Sequence, residues 1–240
     1  MDRLRSQVAI VTGGGTGIGQ GIALALAGEG ARVVVCGRRK APLEKTVQAV
    51  WEAGGGAMAI QGDVSKEADV DKIVQTTLDA YGRVDILVNN AGIYKGGPLH
   101  ELEAAAWDEN IAVNLRGPFL MTRAVITHFR AQRRGHIINI SSESGLDYYP
   151  DETAYGTSKH ALNAFGEFVQ RENQVLGIKV NTICPGMVVS EMSENEPGLN
   201  LEKCLYPEDI ADLVIWLVTR RPNVKIGTPI LIQTMENPWE

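Results

Sequence analysis

Apolar runs of strand length recur along the chain at 8–12, 31–36, 57–60, 85–88, 136–140, 178–184 and 229–233. Most are rich in Val and Ile and apolar at nearly every position, the pattern of strands buried on both faces. Between them lie stretches with apolar residues at three- and four-residue spacing. One follows the first run, with Ile22, Ala23, Leu26 and Ala27 on one side and Gly28 and Gly30 closing it. Further helical patterns cover 41–53, 66–80, 104–131 and 207–219, and another opens at Tyr155 and runs through Ala161, Leu162, Phe165, Phe168 and Val169. Alternation of strand and helix predicts a single α/β domain over residues 1–240, a doubly wound parallel sheet with helices on both faces. Residues 191–206 are polar, contain Gly and Pro, fit neither pattern, and read as a flexible lid.

Composition narrows the function classes. At 240 residues and 44% hydrophobic the chain can bury one sizeable core. A net charge of −6 argues against nucleic acid as the main partner; the short basic pairs Arg133-Arg134 and Arg220-Arg221 read as solvated loop charges. Cys36, Cys184 and Cys204 are widely spaced and odd in number. That fits a reducing compartment and offers neither a disulfide frame nor a metal site. The apolar runs are too short to span a membrane, and the amino-terminal residues lack a secretion signal's apolar core. The expectation is a cytoplasmic protein with no membrane partner.

The chemistry-bearing residues fall where the predicted strands end. After the first strand comes TGGGTGIG, with Gly13, Gly15, Thr16, Gly17, Ile18 and Gly19 leading into a helix. Glycines there let the backbone approach a pyrophosphate, and the helix's first amides and dipole favour its charge. The second strand ends at Arg38-Arg39, where binders of NAD usually carry an acidic residue for the ribose hydroxyls. Two arginines suit a 2′-phosphate instead. Asp63, followed by Val64, either caps the helix beginning near residue 66 or accepts from an adenine amino group. The fourth strand ends in Asn89-Asn90-Ala91-Gly92, small residues that suit a strand end lying against a cofactor.

The fifth strand ends at Ser141-Ser142, a loop follows, and Tyr155 and Lys159 then share one face of the next helix. A tyrosine with an ordinary pKa near 10 is a poor base at neutral pH. A neighbouring ammonium is expected to lower that value, and a serine hydroxyl could hold a carbonyl oxygen against the phenol. Such a set suits reduction of a carbonyl or oxidation of an alcohol. Pro118 lies four residues after Asn114 and cannot donate to its carbonyl, so the 104–131 helix should be disturbed there.

These motifs together resemble the short-chain dehydrogenase/reductase family over essentially the whole chain. Thr12-Gly13-x-x-x-Gly17-x-Gly19 is similar to its cofactor loop, and Asn89 to Gly92 to its central-strand motif. Tyr155-x-x-x-Lys159 preceded by Ser142 is similar to its catalytic signature, and Asn114 falls at its fourth active-site position. The resemblance implies a Rossmann fold with Tyr155 as acid/base and Lys159 as its tuner and ribose ligand. Ser142 would orient the substrate oxygen, and the main-chain carbonyl of Asn114 would hold a water linking Lys159 to solvent. Pro185, Gly186, Val188 and Ser190 would form the nicotinamide loop, with Ser190 where the family more often has Thr. Thr16 stands where NADP-binding members often have a basic residue, and Leu176 where acyl carrier protein reductases often have one.

The expectation is an NADPH-preferring oxidoreductase, NAD being the other possible cofactor, that assembles as a homotetramer or homodimer. Leu146, Tyr148, Tyr149, Met187, Met192 and Tyr94 would wall the substrate pocket. Glu143, Asp147, Asp151, Glu191, Glu194 and Glu196 make its rim acidic, which favours a neutral small-molecule ketone or secondary alcohol. Rival expectations are a 3-oxoacyl-thioester reductase, a sugar dehydrogenase and a non-catalytic cofactor-binding regulator.

Overall fold

The computed structural model describes residues 2–194 and 196–240. The strands are β1 Val8–Thr12, β2 Arg32–Gly37, β3 Gly56–Gln61, β4 Ile86–Asn89, β5 Gly135–Ile140, β6 Ile178–Pro185 and β7 Ile230–Ile232. They form one sheet in the order β3-β2-β1-β4-β5-β6-β7, every pair parallel. The chain runs outward from β1 to β3, then returns to β4 on the other side of β1. Connections therefore diverge between β1 and β4, leaving a crevice at the strands' carboxyl ends where such sheets take ligands.

The helices are α1 Gly17–Gly28, α2 Lys40–Glu52, α3 Glu67–Tyr81, α4 Ala104–Ile111, α5 Gly117–Gln132, α6 Thr153–Asn173 and α7 Pro207–Val218. Strand alternation sends side chains to two separate cores. Ala9, Val11, Val33, Val35, Ile86 and Val88 meet Ile22 and Leu26 of α1, Leu43 and Val47 of α2, and Ile210 and Val214 of α7. Ile10, Val34, Leu87 and Ile137 point the other way, against Ile73 of α3, Leu120, Val125 and Phe129 of α5, and Val169 of α6. The apolar runs were continuous because both faces of the sheet are covered.

One local expectation changes. The 104–131 stretch is α4 and α5 joined by one π turn, Ala112–Arg116, with Pro118 in the first turn of α5. The missing proline N–H is absorbed by widening the helix for a turn rather than by a simple kink. Of the expected lid, residue 195 lies outside the described residues. The later part of the segment makes several contacts with its surroundings. Val188 bridges to Leu205, Leu205 N–H donates to the Met187 carbonyl and Asn200 N–H to the Pro238 carbonyl, and Lys203 pairs with Glu236. Among the described residues no helix is long and apolar enough to cross a membrane.

Candidate active site

The glycine loop is held by its neighbours before it holds anything else. Gly13 has φ +63°, in the left-handed region that side chains resist. A Cβ at Gly19 would stand 2.3 Å from the Gly13 carbonyl oxygen and 2.4 Å from Asn90 Nδ2, so only glycine fits the packed turn. Asn90 ties that turn to β4: Nδ2 donates to the Thr12 carbonyl at 2.9 Å and the Gly13 carbonyl at 3.3 Å. Thr12 Oγ1 accepts from the Asn90 and Ala91 amides at 3.0 and 2.9 Å. The sequence placed Asn90 against a cofactor; its side chain in fact braces the loop, while the residue still borders the cleft.

That cleft has a volume of about 310 Å³ and runs over the carboxyl ends of β1, β4 and β5. At its outer end stand Arg38, Arg39 and Asp63. Asp63 does not cap α3, whose N-cap is Lys66; its carboxylate accepts from Ser65 N–H at 3.0 Å and Ser65 Oγ at 2.7 Å. Partial burial would raise its pKa, but the Ser65 bonds and the charges of Arg38 and Lys66 hold it below the usual value. Arg39 is paired with Glu191 at 2.5 Å, on the lid side of the cleft.

At the inner end α6 presents Tyr155 and Lys159. Tyr155 keeps some accessible surface in the cleft, but desolvation by the surrounding protein pushes its pKa up to about 12. The nearby Ser142 hydroxyl works the other way, while Glu152, Glu143 and Tyr94 add to the rise. The Tyr94 ring meets that of Tyr155 edge-on, centroids 5.3 Å apart. The expectation that Lys159 lowers this value is corrected. Its Nζ lies 5.4 Å from the ring centroid and donates to the Ile140 carbonyl at 3.1 Å. Lys159 is itself 4% exposed, and burial brings its pKa down to about 8. Desolvation is the largest cause at both residues, and it disfavours the charged form of each.

Asn114 sits in the π turn, 1% exposed. Its side chain clamps two elements: Oδ1 accepts from Ile93 N–H at 2.9 Å, and Nδ2 donates to the Ile93 carbonyl at 2.9 Å and Ser158 Oγ at 3.1 Å. Ser158 in turn donates to the Tyr155 carbonyl at 2.6 Å. The loop after β4, the π turn and the start of α6 are thus one hydrogen-bonded unit. A Cβ on Gly92 would lie 3.5 Å from Asn114 Oδ1 and 3.6 Å from Lys159 Nζ, which places all three together.

Of the residues singled out in the sequence, Gly13, Gly15, Thr16, Gly17, Ile18, Arg38, Arg39, Asp63, Val64, Asn90, Ala91, Gly92, Tyr155, Lys159 and Ser190 line the cleft. Gly19, Asn114, Ser142, Pro185, Gly186 and Val188 stand behind that lining or beside it. Pro185 ends β6, the Gly186 N–H is taken by the Ile232 carbonyl, and Val188 is buried. Sequence reasoning missed Ser158 and Ile93, the partners of Asn114. It also read Glu191 as rim charge alone, because nothing local links it to Arg39. Glu152, whose buried Oε2 has no hydrogen-bond partner, was missed as well; its place three residues before Tyr155 was the available signal.

A family model described as short chain dehydrogenase matches residues 7–198. A 3-oxoacyl-[acyl-carrier-protein] reductase of Synechocystis is 37% identical over 226 residues, covering 91% of this chain and 92% of the relative. An uncharacterized oxidoreductase of Listeria innocua is 34% identical over 247 residues, covering 98% and 99%. The crystal structure of a metagenomic short-chain oxidoreductase in complex with NADP has a TM-score of 0.85 at 36% identity, covering 98% of this chain and all of that one.

Proposed function

Because the chain belongs to the short-chain dehydrogenase family, we propose that it is an NADPH-preferring reductase of small neutral ketones, run in reverse on secondary alcohols. The observation that carries the reading is the placement of Tyr155 and Lys159 in one cleft with the glycine loop. A phenol with a pKa of about 12 keeps its proton at neutral pH and stands ready to donate it. When bound, the nicotinamide supplies or accepts the hydride. Tyr155 delivers the proton to the carbonyl oxygen as its carbon is reduced, and Ser142, beside Tyr155, orients that oxygen. Lys159 binds the nicotinamide ribose and keeps a positive charge behind the phenol, while Asn114 holds Ile93 and Ser158 so that Tyr155 keeps its position. The amides at the start of α1 receive the pyrophosphate, and Arg38 and Arg39 receive the 2′-phosphate. The NADP complex of the similar metagenomic oxidoreductase supports that cofactor.

Glu143 and Glu152 both act on Tyr155. Carboxylates so close to the acid disfavour an anionic substrate, which supports a neutral ketone. The Synechocystis relative favours a second reading, reduction of a 3-oxoacyl group on a carrier protein. Exposed Phe119 on α5 and Phe168 on α6 support assembly into a homotetramer through these helices, and the buried free cysteines support a reducing, cytoplasmic setting. A substrate panel with NADPH and NADH, followed at the nicotinamide absorbance, tests the proposal. NADPH oxidation with neutral ketones is expected. A higher kcat/KM for carrier-linked substrates would establish the second reading, and tight cofactor binding with no turnover would make the protein a regulator.

A further inference from the structure

Arg38 and Arg39 stand at the outer end of the cleft, but they are differently engaged. Among the described residues Arg38 makes no ion pair. Arg39 is gripped at both nitrogens by one carboxylate: Nη2 lies 2.5 Å from Glu191 Oε2, and Nη1 lies 3.4 Å from Oε1. Thr16, in the glycine loop, donates its hydroxyl to the same Oε2 at 3.4 Å. Their mutual bond raises the pKa of Arg39 and lowers that of Glu191. The carboxylate is presented by a short turn, in which the Ser193 and Glu194 amides donate to the Ser190 carbonyl at 3.0 and 2.9 Å. It therefore reaches the glycine loop and the head of α2 from across the cleft.

A bidentate acceptor on a guanidinium, beside a glycine loop, is the geometry a phosphate monoester would adopt there. We infer that Glu191 is a specificity-determining residue: its carboxylate holds, on Arg39, the place of the cofactor's 2′-phosphate. NADPH must displace it, and NADH, which has a hydroxyl there, need not. The inference rests on the reading of Arg38 and Arg39 as the 2′-phosphate site. The displacement is feasible because the pair is solvent-exposed on both sides, where such contacts contribute little and a dianion competes well. Glu191 thereby tempers the preference for NADPH that the two arginines create.

The test is a direct titration of wild type, Glu191→Gln and Glu191→Lys with NADPH and with NADH at low ionic strength, read by calorimetry. Glu191→Gln keeps the shape and removes the competing charge, so NADPH should bind about two- to fivefold tighter, the usual worth of an exposed ion pair. NADH affinity should not move. Glu191→Lys should widen the gap further, and added salt should narrow it. Unchanged or weaker NADPH binding in both variants overturns the inference, as does an equal change for the two cofactors. Arg39→Ala separates this inference from its premise. If that variant does not lose NADPH affinity selectively, the 2′-phosphate reading has failed. If it does, and the Glu191 variants change nothing, the inference alone has failed.

Discussion

The two ends of the cleft work on opposite physical terms. At the outer end Arg38, Arg39 and Glu191 are solvated charges on loops, with Arg39 and Glu191 each more than half exposed at the side chain. Water and salt weaken every interaction there, so recognition is adjustable and one carboxylate can stand in for another anion. At the inner end Lys159 and Asn114 are almost wholly buried, Tyr155 is hemmed in, and hydrogen bonds to Ile93, Ile140 and Ser158 fix their positions. Desolvation moves the pKa of Tyr155 and Lys159 in opposite directions, up to about 12 and down to about 8. On the proposed function, binding selectivity would rest on groups that cost little to rearrange, and proton transfer on groups held in place by burial and hydrogen bonds.

The contrast can be broken most directly at the inner end. Tyr155→Phe keeps the ring and its edge-on contact with Tyr94 but removes the proposed proton donor. Turnover should fall at least about 100-fold, the usual contribution of a positioned general acid, with cofactor affinity nearly unchanged. Retention of more than about a tenth of wild-type turnover would dismiss Tyr155 as the acid.

The outer end should answer with a smaller and selective effect. Arg38→Asp should weaken NADPH about tenfold by removing charge-assisted bonds while leaving NADH unharmed or improved. Equal loss for both cofactors would make Arg38 a structural residue and erase the distinction between the two ends.

The pH dependence sharpens the comparison with the gentlest perturbation. Lys159 is charged below about pH 8 and neutral above it. Ketone reduction should therefore hold steady through neutral pH and decline as pH rises through about 8, while Tyr155 stays protonated to about pH 12. The Lys159→Met variant should be slow throughout and lose this decline. Persistence of the same alkaline limb in the variant would assign it to another group.

Much of this was legible in the chain. Helical geometry alone puts Tyr155 and Lys159 one turn apart, and covering both sheet faces accounts for the nearly continuous apolar runs of β1 and β2. Gly13 and Gly19 are read locally because a positive φ and a close backbone approach admit no side chain. The proline at 118 marked the irregular turn, although not that the helix would widen into a π turn.

The assembled fold decided what depends on distance and on solvent. Arg39 and Glu191 are 152 residues apart, and no local pattern pairs them. Asn114 gains Ile93 and Ser158 only when the loop after β4 and α6 close around it. The sequence puts an ammonium near a phenol and so predicts a lowered pKa, whereas burial of both groups reverses the outcome. Spacing along a chain fixes which side chains share a face, but desolvation depends on everything packed around them, and that exists only once β4, β5, α5 and α6 have met.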